Sequence, residues 1–108
     1  MSPARKRARK PVKVTDEATV IWCASGDGLI REERWEDEDG NTVRYNLAFI
    51  NFHLFPRDNG RVLGSDTAHG RVHRHFAGKV EAIASAPFQV ISARFIAQVD
   101  DLRKREKL

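Results

Sequence analysis

The sequence predicts an α+β domain, an antiparallel meander sheet of four to five strands with one C-terminal amphipathic helix packed on it. Three observations predict it. Apolar and alternating segments are punctuated by Ser25-Gly26-Asp27-Gly28, Asp39-Gly40-Asn41 and Pro56-Arg57-Asp58-Asn59-Gly60, the turn chemistry of hairpins. After Pro87 the apolar period changes, with Phe88, Ile91, Phe95, Val99 and Leu102 recurring every third or fourth residue, as on one face of a helix. The 108 residues suffice for one domain with a modest core and are too few for two.

The elements follow in order. Residues 1–13 combine Pro3 and Pro11 with alternating Arg, Lys and Ala, offer no apolar face, and read as a flexible basic arm; residues 14–108 form the single domain. Thr19 to Ala24 is a β-branched apolar run that fits a strand, and Leu29 to Glu36 leads into the turn at Asp37–Asn41. Thr42 to Phe55 returns as a long central strand, apolar on both faces in its middle and so expected to be covered on both sides. Beyond the Pro56–Gly60 turn, Arg61 to Ser65 resumes the sheet, Asp66 to Gly70 forms a loop, and Arg71 to Ile83 makes a further strand, bent at Gly78. Pro87 fits the first turn of the helix, and Arg103, Lys104 and Arg105 sit where the negative end of its dipole favours cations. No internal repeat is present.

The formal charge of +4 is unevenly distributed. Arg5, Lys6, Arg7, Arg9, Lys10 and Lys13 face no acid in the arm, whereas residues 14–102 carry nine Lys and Arg against fourteen Asp and Glu. Basic ends on an acidic centre suit arms that reach a polyanion through counterion release, or a solubilising tail. The single Cys23 excludes an internal disulfide and reads as a small core residue beside Trp22, also expected in the core. No signal peptide is visible and no apolar run approaches the roughly 20 residues of a membrane span, so the expected location is cytoplasmic, with no membrane partner.

Chemistry concentrates in Arg57 to His75, RDNGRVLGSDTAHGRVHRH, which holds three of the four histidines. Strand alternation puts His73 and His75 on one face with Arg71, with Val72, Arg74 and Phe76 on the other, and His69 just before them. Four roles are open for this cluster. Three imidazoles suit a metal such as zinc, although Arg71 and Arg74 oppose a divalent cation unless Asp58 or Asp66 offsets them, and no metal or cofactor is assigned. Metal-free chemistry on a phosphodiester needs one histidine as base, another as acid and an arginine for phosphate charge, and Arg71, His73 and His75 supply all three. Plain anion binding by Arg57, Arg61, Arg71 and Arg74 is the third, and hydrogen bonds that brace two loops are the fourth. Elsewhere, Asp58 reads as a turn former, His53 as a satisfied core group, and the acidic run 32–39 as a solvated hairpin. Trp22, Trp35 and Tyr45 are candidates for stacking on bases, with Trp35, set among charges, the open case.

The order DEDGNTVRYNLAFI, PRDNGRVLGSDTAHG, HRHFAGKVEAI and a helix with an aromatic start resembles the TumE-type toxins of toxin–antitoxin systems over residues 20–102, most strongly at His69 to Glu81. The resemblance implies a growth-inhibiting toxin acting on RNA or translation, neutralised by a helix-turn-helix antitoxin protein. It transfers candidate catalytic status to His69, Arg71, His73 and His75 alone. Nucleic-acid-binding candidates read from charge are Arg57, Arg61 and Arg74 with the arm residues Arg5, Lys6, Arg7, Arg9 and Lys10. The other reading is a non-catalytic subunit or adaptor that binds nucleic acid or protein through its basic arms, and a homo-oligomer is compatible with both.

Overall fold

A computed structural model describes residues 10–24, 26–68 and 71–105. Strands β1 (Val12–Ile21), β2 (Gly28–Glu36), β3 (Thr42–Ile50), β4 (Arg61–Ala68), β5 (Arg71–Phe76) and β6 (Lys79–Ile83) precede one helix, α1 (Phe88–Arg105). All six strands lie in one sheet in sequence order, and every neighbouring pair is antiparallel. The meander and its helix are as expected, with six strands rather than four or five. The molecule is elongated, 62 × 24 × 23 Å.

The turns explain the order. Asp37 accepts the main-chain N–H groups of Asp39 and Asn41 at 2.9 and 3.0 Å, and Gly40 takes φ +81° to close β2 onto β3. Between β3 and β4, Asp58, Asn59 and Gly60 all have positive φ, conformations that Asp, Asn and Gly tolerate best. Ala77 and Gly78, at φ +46° and +84°, form a two-residue reversal, so the expected bent strand from Arg71 to Ile83 is in fact two, β5 and β6. The expected loop at Asp66–Gly70 also shrinks, because β4 continues to Ala68.

The central strand ends at Ile50, five residues before its expected end, and Asn51 is the cause. Its side-chain Oδ1 accepts the N–H groups of His53 and Leu54 at 3.0 and 3.3 Å while its Nδ2 donates to the Gly26 carbonyl at 3.1 Å. A buried asparagine that satisfies the backbone locally competes with the ladder and turns the chain. His53 is thereby displaced from the core to an exposed loop.

The core lies on one face of the sheet. Ile91, Phe95, Val99 and Leu102 of α1 pack with Tyr45, Leu47, Phe49, Leu63 and Val72, joined by Cys23. Those sheet residues share a face because Leu47 pairs with Ser65, Phe49 with Leu63, and Thr67 with Val72, and side chains alternate along each strand. The opposite face carries no second layer among the described residues, so β3 is covered on one side rather than two. Trp22, expected inside, is 69% exposed. Successive residues of an extended chain point apart, and Cys23 takes the inward position while Arg103 donates to the Trp22 carbonyl at 2.7 Å. Of the expected arm, Val12 and Lys13 pair with Glu36 and Trp35 in the sheet. No described helix is long and apolar enough to cross a membrane.

Candidate functional site on the open sheet face

The face turned away from the helix is polar, and its layout follows from register. Ala68 pairs with Arg71, which sets Asp66 opposite His73 and Gly64 opposite His75. Asn46 pairs with Asp66 and Glu33 with Asn46, so Glu33, Asn46, Asp66 and His73 form one row across four strands. His75 stands two residues along β5, about 6.6 Å from His73.

Asp66 is the hub. Its Oδ2 lies 2.9 Å from His75 Nε2 and 3.4 Å from Arg61 Nη1, and Arg61 also donates to Asp58 at 3.1 and 3.4 Å. To reach Asp66 the Arg61 stem crosses Gly64, where a Cβ would stand 2.9 Å from Arg61 Cδ. Arg61 and His75 thus share the Asp66 carboxylate, and His75 is 8% exposed while His73 is half-buried. The Asn46 Oδ1 and the Nδ1 atoms of His73 and His75 are buried without a hydrogen-bond partner. Tyr45 Oη, Arg74 Nε and Arg103 Nε are likewise buried without a partner, so such atoms occur on both sides of the sheet.

Beside this cluster, Glu33 accepts from Lys13 at 2.6 Å, Arg31 at 3.3 Å and Asn46 at 3.1 Å. The Lys13 hydrogen bond, aided by Arg31 and Asn46 and opposed by burial, holds the Glu33 carboxyl down at about 2. Folding therefore gains from its ionisation above the ordinary value of 4.5, and the gain disappears as pH falls through about 2. Glu33→Gln is expected to cost about 1–2 kcal/mol at pH 7, discounted for partial solvent screening. Urea melts between pH 7 and pH 2.5 test this: the wild type should lose its advantage over the variant across the acid limb, and parallel curves would refute it.

The structure distributes the other expected residues as follows. Arg71 is exposed on the open face with His73 and His75. Arg61 joins them through Asp66, whereas Arg57 is exposed in the loop before the Asp58–Gly60 turn. Arg74 occupies the helix side and lies 3.7 Å from Glu81. Lys10 is exposed just ahead of β1. His69, Arg5, Lys6, Arg7 and Arg9 lie outside the described residues. Among the described residues, no group of three or more His, Cys, Asp or Glu is placed to hold a metal ion.

The roles of Asp66 as partner of His75, and of Glu33 and Asn46, were absent from the reading of the sequence. Their placement follows from the pairing of Ala68 with Arg71, which sets Asp66 opposite His73 and which periodicity within a few residues does not reveal. A separate cavity of about 570 Å³ lies on the helix side, lined by Tyr45, Thr67, Val72, Ser85 and Phe88 among others. Burial, with the charge of Asp66, pushes the Tyr45 phenol up from its ordinary value. Compared with known proteins, the chain matches no family model, no curated protein and no solved structure.

Proposed function

We propose that this protein is a toxin-like, metal-independent endoribonuclease whose reacting groups stand on the open face of β4 and β5. The observation that carries the reading is the His75–Asp66–Arg61 cluster at 2.9 and 3.4 Å, with His73 next to it on the same face. In the reaction, a histidine accepts the proton of a ribose 2′-hydroxyl, the freed oxygen attacks the adjacent phosphorus, and the P–O5′ bond breaks as a second histidine protonates the leaving oxygen. His73 is the more accessible of the two and acts first on the substrate. His75, oriented by Asp66, supplies the second proton position once Arg61 swings from Asp66 onto the phosphate, where its charge stabilises the phosphorane. The acidic remainder of the chain suits a partner with a basic surface, consistent with an antitoxin that silences the enzyme.

The non-catalytic reading has one observation of its own. The edge strand β1 exposes Val12, Val14 and Val20, an unpaired ladder suited to strand addition by a partner protein. Induced expression in bacteria separates the two. Growth arrest with cleaved RNA in the wild type, absent in a His73→Ala/His75→Ala double variant, is the expected result; equal growth with intact RNA in both would leave the binding module.

A further inference from the structure

The row adjoining the histidines is built differently from the rest of the open face. Lys13 pairs with Trp35 and Trp35 with Arg44, each the cross-strand neighbour of the next. The Lys13 ammonium lies 5.1 Å and the Arg44 guanidinium 4.4 Å from the Trp35 ring centroid. The pairing of β3 with β4 runs no further than Asn46 and Asp66, and beyond it the Tyr45 N–H donates to the Thr67 hydroxyl at 3.2 Å; Arg44, two residues before Asn46, and Arg71, two residues before His73, lie past the same end of the Glu33–Asn46–Asp66–His73 row. Arg71 is about 6.6 Å along β5 from His73.

Charge singles out two of these residues. Lys13, Arg31, Arg61 and Arg74 each have a carboxylate within 4 Å. Arg44 and Arg71 are both exposed, and neither has a carboxylate partner among the described residues. An arginine stacked on an indole offers a flat, cationic surface of the kind on which an unpaired base rests, and an unpaired arginine beyond it suits the phosphate that follows. A duplex presents no free base face to such a platform.

We infer that Trp35, Arg44 and Arg71 form a nucleotide subsite for single-stranded RNA, with a base stacked on the Trp35–Arg44 pair and its phosphate held by Arg71 beside His73. The inference rests on the proposed function for the identity of the polymer, and it deepens that reading by fixing where the strand lies. The strand crosses β2 to β5 along this row. The scissile phosphate falls one step further, at His73.

The test is equilibrium binding of the full chain to a fluorescein-labelled 2′-O-methyl RNA ten-mer, which lacks the hydroxyl needed for cleavage, read by anisotropy. Trp35→Ala and Arg44→Gln are each expected to weaken binding about 5- to 100-fold, the range of a lost stacking contact. Arg71→Gln should weaken binding and reduce the slope of log affinity against log salt by about 0.7. Annealing the ten-mer to its complement should weaken binding as well. A His73→Ala/His75→Ala variant should cleave no unmodified RNA yet still bind the ten-mer, with a smaller loss than Arg44→Gln, which separates the two claims. Intact binding at this row by a wild type that cleaves no RNA would sink the nuclease and keep the subsite. Binding within twofold of wild type for Arg44→Gln and Arg71→Gln, or no binding by the wild type, would overturn the subsite. Should Trp35→Ala unfold, those two exposed arginines still decide the matter.

Discussion

Purified His73→Ala is expected to cleave single-stranded RNA about 10²- to 10⁴-fold more slowly than the wild type, the usual yield of a positioned acid or base, with its melting temperature little changed. His73 is half-buried and makes no hydrogen bond through its side chain, so its removal leaves the packing almost as it was. Asp66→Asn should behave differently. Asparagine keeps the shape but withdraws the charge that His75 and Arg61 share at 2.9 and 3.4 Å. As a positioning residue, Asp66 should lower kcat about 10-fold or more and leave KM nearly unchanged. A melting temperature that falls by many degrees for His73→Ala, with cleavage unaffected, would assign the histidines a bracing role only.

Phe95→Ala is expected to cost about 3–5 kcal/mol of stability. Phe95 is 1% exposed at the centre of the helix face, among Leu47, Phe49 and Leu63, each 2% exposed or less. Among the described residues the helix is the only layer over this face, and no other described element is placed to collapse into the void. Guanidinium or thermal melts of both proteins check it, and a loss below about 1 kcal/mol would mean that α1 contributes little to folding. Loss of the helix would leave the sheet's apolar face uncovered, whereas the histidine face, on the other side, depends on it only through the sheet.

Much of this architecture was legible in the residues because local chemistry decided it. Phe88, Ile91, Phe95, Val99 and Leu102 have helical spacing, and the helix they imply is α1. Asp-Gly-Asn and Asp-Asn-Gly close turns wherever they stand, and both close one here. Ala77-Gly78 carries a weaker signal, since alanine disfavours φ +46°, and the residues alone suggest a bend where the structure has a hairpin. Asn51 looked like one more strand residue, because an isolated asparagine does not reveal whether its amide will meet water or the Gly26 carbonyl.

The sequence by itself determined the class of fold, the helix face, the main turns and the common orientation of Arg71, His73 and His75, all consequences of periodicity within a few residues. Only the tertiary structure decided that Asp66 holds His75 and Arg61, that Lys13, twenty positions away, holds the Glu33 carboxyl below its ordinary value, and that Trp35 is flanked by Lys13 and Arg44. Those pairs are set by strand register. A shift of one residue would turn every side chain of a strand to the opposite face, and it is the cooperative fit of six strands and one helix that selects the register.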